Sequence, residues 1–153
     1  MSESARQLIA KHHSFYEVVP YYVVIEEAHG RSVHTTRRSQ VGFDVDIYGL
    51  KTSDDPGFPS SSVDYARAYS ILQQIVDEIA RNTGNSCSIE LFGFGSTVFP
   101  DTRNGFHPEA MLRIRITHLG NLDQPIDVPE HNALEEIETQ LLGLGIGAGR
   151  SAH

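Results

Sequence analysis

The sequence predicts an α+β fold in which helices pack on one face of a four-stranded, mainly antiparallel sheet. Residues 41–48 alternate strictly between apolar and polar side chains, which is typical of a strand with one buried and one solvated face. Residues 65–79 instead repeat apolar side chains every three or four positions, which is typical of an amphipathic helix. Because 153 residues is close to the usual size of one domain, we expect 1–153 to form a single unit.

The first part of the chain predicts a helix followed by two strands. A Ser-x-x-Gln capping box at Ser4 indicates a short helix that ends at about His13. Residues 15–27 are rich in valine, isoleucine and tyrosine, which favours a strand. Pro20 interrupts that strand and marks it as bent or as an edge strand. We expect it to form a hairpin with the strand that follows.

The second part of the chain repeats the pattern of two strands and a helix. Apolar and polar residues alternate over 87–92 and again over 112–117. A last helix is predicted over about 130–142, so the full order is α-β-β-α-β-β-α. The tail, residues 143–153, carries four glycines and is expected to be irregular.

Composition and charge narrow the classes of partner. The net charge of -8 repels nucleic-acid backbones and anionic lipid headgroups, so neither is an expected partner. No segment is apolar for long enough to span a membrane, and the N-terminus lacks a secretory signal, which predicts a cytoplasmic protein. The single cysteine, Cys87, is expected to be buried. No cofactor is predicted, and the sequence has no phosphate-binding loop. The Gly-x-Ser-x-Gly motif of serine hydrolases does not occur either.

Two strands carry pairs of charges at matching spacing. Asp44 and Asp46 lie two residues apart, as do Arg113 and Arg115, so each pair points to one face of its strand. If the two strands are neighbours, the four side chains form a cross-strand charge ladder. A second interpretation treats Asp44 and Asp46 as candidate ligands of a hard divalent cation.

The main functional hypothesis is a non-enzymatic interaction or assembly domain, with a protein partner or a second copy of the chain. A one-sided sheet leaves a face that is hydrated, docked or dimerised, and aromatic residues are enriched in interface cores. We therefore expect a homodimer that uses the open sheet face or the first strand. The candidate interface residues are Tyr21, Tyr22, Asp44, Asp46, Arg113 and Arg115.

The alternative hypothesis is a small-molecule-binding or hydrolase-like protein that uses the loop over residues 99–109. Long loops at a sheet edge often carry function. In this interpretation His107 is the acid/base, Arg103 clamps an anion and Asp101 orients the histidine. The hypothesis requires the three side chains to converge within hydrogen-bond reach.

Overall fold

The computed structural model describes residues 14–51, 63–84, 86–97, 109–120, 126 and 128–149. Within these ranges the chain forms five strands and two helices. The strands are β1 (Phe15–Ala28), β2 (His34–Leu50), β3 (Cys87–Thr97), β4 (Glu109–His118) and β5 (Gly147–Ala148). The helices are α1 (Tyr65–Thr83) and α2 (Val128–Gly143).

The predicted α+β class is confirmed, but the sheet differs in detail. The described residues form five strands rather than four, in the order β3-β4-β2-β1-β5. The fifth strand, Gly147–Ala148, lies in the tail expected to be irregular and pairs in parallel with the start of β1, so the sheet is mixed. A strand of two residues has no periodic pattern, which is why the sequence does not reveal it. The predicted first helix, near residues 4–13, lies outside the described residues.

Helix α1 buries one apolar stripe against the sheet. The side chain of Asp64 caps its first turn by accepting a hydrogen bond from the backbone N–H of Arg67, at 2.9 Å. From there, small and branched apolar residues recur at three- and four-residue steps on one side of the helix. That stripe consists of Ala68, Leu72, Val76 and Ile79.

The core lies between the two helices and one face of the sheet, which we call the helix-side face. The central strands contribute side chains with no exposed surface, because alternate residues point to the same face. These fully buried residues are Val45, Ile47, Leu112, Ile114 and Ile116. The residues between them point to the opposite face, which we call the outer face. Neither described helix covers the outer face.

Tyr16 ties the start of β1 to α2, because its phenol donates a hydrogen bond to Glu138 at 2.5 Å. Burial, and then the Glu138 carboxylate, raises the pKa of Tyr16 from its ordinary 10.0 to about 12. The stability gained from the neutral phenol is therefore complete below pH 10 and is lost as the pH rises through 12. We expect Tyr16→Phe to flatten this fall in unfolding free energy, measured by urea denaturation. An equally steep fall in the variant would contradict the assignment.

Strands β1 and β2 form a hairpin that is longer than the rest of the sheet. Their pairing continues to Ala28 opposite His34. The neighbouring strand β4 follows β2 only as far as Gly42, and β5 follows β1 only as far as Tyr16. Residues 22–40 therefore extend beyond the sheet as a two-stranded ribbon, which we call the hairpin arm.

The hairpin arm begins at a β-bulge next to Gly42. Tyr21 pairs with Gly42, but Tyr22 pairs with Gln40, so β2 holds one extra residue at this point. A β-carbon at Gly42 would overlap the backbone carbonyl oxygen of Ile116 in β4. Only glycine allows β2 and β4 to approach this closely where the arm leaves the sheet.

Candidate functional site on the sheet

The outer face carries the cross-strand charge ladder that the sequence predicts. Strands β2 and β4 are neighbours, with Asp44 opposite Arg115 and Asp46 opposite Arg113. The Arg113 guanidinium donates to both carboxylate oxygens of Asp46, at 2.7 and 3.2 Å. Arg115 donates to both oxygens of Asp44 in the same way, at 2.8 and 3.0 Å. Such bidentate pairs fix the geometry of both partners as well as adding energy.

The ladder is largely buried even though no described helix covers it. Asp44 is 7% exposed and Asp46 is 4% exposed. Hydrogen bonds from Arg113 to Asp46 and from Arg115 to Asp44 raise the pKa of each arginine, while burial opposes the shift. The two cations and the two carboxylates of the ladder balance each other, while Glu17 in β1 and Glu90 in β3 lie beside them on the same face, opposite Asp46 and Arg115.

Aromatic rings lie against the flat faces of the two guanidinium groups. The central carbon of the Arg115 guanidinium lies 3.9 Å from the ring centre of Tyr21 and 5.7 Å from that of Phe92. The Arg113 guanidinium carbon lies 5.5 Å from the ring centre of Phe94. These distances are within the range of cation–π contacts. Both arginines are therefore engaged at their edges by carboxylates and on their faces by rings.

Tyr48 lies beside Asp46 at one end of the ladder. Burial, followed by the negative charges of Asp46 and Glu17, raises the pKa of the Tyr48 phenol, which therefore stays protonated. A divalent cation at Asp44 and Asp46 would have to displace both arginine partners. Among the described residues, no group of three or more histidine, cysteine, aspartate or glutamate side chains is placed to hold a metal ion.

The two tyrosines predicted as interface residues lie on opposite faces of β1. Tyr21 is half-buried and belongs to the outer face, where it covers Arg115. Tyr22 points to the helix-side face beyond the helices and is 43% exposed. The guanidinium carbon of Arg38 lies 4.3 Å from the ring centre of Tyr22. The structure thus brings Tyr21 into the ladder and leaves Tyr22 on the arm.

An exposed apolar stripe runs along the helix-side face of β1. Val18 is 37% exposed, Tyr22 is 43% exposed and Val24 is 67% exposed. The sequence shows the alternation of these residues, but it does not show that β1 extends beyond the region that the helices cover. Val18 and Val24 were therefore not among the predicted interface residues.

The free backbone edge of β1 is interrupted once, at Pro20. The carbonyl of Tyr16 accepts a hydrogen bond from Gly149 N–H at 2.8 Å, so the backbone groups of Tyr16 point to the free edge. Alternate residues of a strand share this direction, so the N–H that proline lacks would also have pointed there. The pairing of β1 with β2 therefore loses no backbone hydrogen bond at Pro20.

A buried pair that the sequence analysis missed joins the end of β4 to the first turn of α2. Nδ1 of His118 contacts Oε1 of Glu130, whose side chain is 1% exposed. Within the described residues, Nε2 of His118 and Oε2 of Glu130 are buried without a hydrogen-bond partner. Cys87 lies opposite His118, and burial raises its pKa, so it stays a thiol rather than a reactive thiolate. Cys87, His118 and Glu130 are not related by any regular spacing in the sequence, so the sequence does not predict that they lie close together.

The residues of the alternative hypothesis, Asp101, Arg103 and His107, lie outside the described residues. Their convergence, which a hydrolase-like site requires, stays a prediction.

Comparison of the chain with protein-family models, with curated proteins and with solved structures found no match. In the part of the chain that the structure describes, no helix is long and apolar enough to cross a membrane.

Proposed function

We propose that this protein is a non-enzymatic, cytoplasmic assembly domain that forms a homodimer through β1. The observation that carries the proposal is the free edge of this strand. β1 is 14 residues long, but β5 pairs with only its first two residues. Among the described residues, no strand pairs with the remaining edge, and unpaired backbone N–H and C=O groups are a template for pairing with another strand.

The geometry favours β1 over the outer face as the docking surface. On the outer face the four charges of the ladder are already paired with one another, and aromatic rings cover the arginines. On β1, by contrast, the apolar residues Val18, Tyr22 and Val24 are exposed beside unpaired backbone groups. An isolated two-stranded hairpin is marginally stable in water, so the hairpin arm gains most from a partner.

Charge favours a second copy of the chain as that partner. The hairpin arm carries three arginines, Arg31, Arg37 and Arg38, but only two glutamates, Glu26 and Glu27. The rest of a chain of net charge -8 is acidic. Two copies that meet through their arms keep their acidic parts apart, so the repulsion between those parts is small at this contact.

The proposal is tested by Val24→Lys, which places a charge on the most exposed residue of the stripe. We expect sedimentation equilibrium to show a dimer for the parent chain and a dimer Kd raised by at least about tenfold in the variant, because burying one valine contributes roughly 1.5–3 kcal/mol. The matched control is Leu142→Lys on α2, since Leu142 is 62% exposed and Val24 is 67% exposed. The control should dimerise like the parent chain.

A parent chain that sediments as a monomer over a wide concentration range would refute assembly. Equal weakening by Val24→Lys and Leu142→Lys would refute β1 as its site.

A further inference from the structure

The geometry points to one register for the dimer: two copies of β1 pair antiparallel, with the two-fold axis at Val24. This inference rests on the proposed function and names the contacts that select a second copy. Two features of the hairpin arm lead to it, namely the direction of the backbone groups and two opposite charges that form no ion pair within the described residues.

The backbone groups of alternate residues define which positions can pair across the free edge. The carbonyl of Tyr16 points to that edge, since it accepts from Gly149. The bulge adds its extra residue to β2, so the alternation along β1 continues unbroken. Tyr22, Val24 and Glu26 therefore present their N–H and C=O groups to the edge.

The same three residues share the helix-side face with Arg38, which lies opposite Val24 in β2. The Arg38 guanidinium rests against the ring of Tyr22. Within the described residues, no carboxylate pairs with Arg38 and no cation pairs with Glu26. Glu27, on the opposite face of the arm, differs from Glu26 because it has a cationic partner. It accepts a hydrogen bond from Arg37 at 3.1 Å.

An axis at Val24 brings the two unpaired charges together. In that register Glu26 of the partner subunit lies directly opposite Tyr22. The Arg38 guanidinium lies over the ring of this tyrosine. The two-fold symmetry makes this contact twice. Val24 then lies beside its own copy on the same face, so the most exposed apolar residue of the stripe loses exposed surface.

The registers with the axis at Glu26 or at Tyr22 are less favourable. An axis at Glu26 would place two glutamates directly opposite each other, and like charges in that position are destabilising. An axis at Tyr22 would place Pro20 opposite Val24, where proline has no N–H to donate. The axis at Val24 avoids both costs. The backbone hydrogen bonds between the two copies then continue without interruption from Tyr22 to Glu26.

The test is a charge reversal and its rescue, measured as the dimer Kd by sedimentation equilibrium. Glu26→Arg and Arg38→Glu should each raise Kd by about tenfold, because each replaces two attractive cross-strand pairs by two repulsive ones. The double variant Glu26→Arg/Arg38→Glu should return Kd to within about threefold of the parent value. The control is Glu27→Arg/Arg37→Glu, which swaps the charges of the pair on the opposite face and should leave Kd unchanged.

The outcomes separate the register from the assembly. A parent dimer that the single reversals leave intact, or that the double variant does not restore, overturns the register while assembly through β1 stands. A parent chain that is monomeric throughout overturns both.

Discussion

Arg113→Ala is expected to lower the free energy of unfolding by about 3–5 kcal/mol, because it leaves the carboxylate of Asp46 buried without its partner. Asp46 is 4% exposed and receives two hydrogen bonds from Arg113. The variant removes both donors together, and no other described side chain is shown to donate to Asp46 from a guanidinium group. Urea denaturation with a two-state fit measures the loss.

The control for Arg113→Ala is Arg37→Ala, because Arg37 also pairs with a carboxylate on the neighbouring strand but does so at the surface. The side chains of Arg37 and Glu27 are 41% and 43% exposed. Exposed pairs contribute about 0–1 kcal/mol, so this variant should be nearly neutral. The double variant Arg113→Met/Asp46→Leu removes both charges and should recover most of the stability. Equal losses from Arg113→Ala and Arg37→Ala would mean that the ladder is no more than a surface feature.

His118→Leu should be similarly costly, with an expected loss of about 3–5 kcal/mol. Glu130 has no exposed surface, and its only hydrogen-bond partner among the described residues is His118. The variant leaves the carboxyl group of Glu130 in the core between β4 and α2 without its hydrogen-bond partner. The expected signature is a lower urea midpoint with an unchanged denaturant slope.

An exposed histidine provides the comparison for His118→Leu. His29 lies 3.8 Å from Glu27, and both side chains are about half exposed, at 52% and 43%. His29→Leu should change the stability by no more than about 0.5 kcal/mol. If His118→Leu/Glu130→Leu is no more stable than His118→Leu alone, the cost arises from packing rather than from the unpaired carboxylate.

The sequence predicted the ladder because the period of a strand is short and strict. Residues two positions apart share a face, so Asp44 with Asp46, and Arg113 with Arg115, had to point the same way on their strands. That the two strands are neighbours was a condition in the prediction, and the pairing of β2 with β4 meets it. The α+β class followed from equally local patterns.

The features that the sequence did not reveal depend on distances between elements. The length of the hairpin arm depends on where β4 and the helices stop, which no pattern within β1 encodes. His118 and Glu130 lie 12 residues apart on different elements, and a buried glutamate in a first turn looks like an ordinary acidic helix start. The strand β5 is too short to be recognised without its partner.

The bulge at Gly42 separates two groups of backbone hydrogen bonds, which differ in how much of the domain must unfold before they break. On one side, the bonds of β2 are flanked by further strands and sealed by the core, so they break only when the whole domain unfolds. On the other side, the side chains of the arm are partly or fully exposed on both faces, so we expect its bonds to open and close while the domain stays folded. The hairpin arm, whose hydrogen bonds open most easily, is thus also the segment with a free edge. If a second copy of the chain paired with that edge, the bonds of the arm would open only together with those of the rest of the domain.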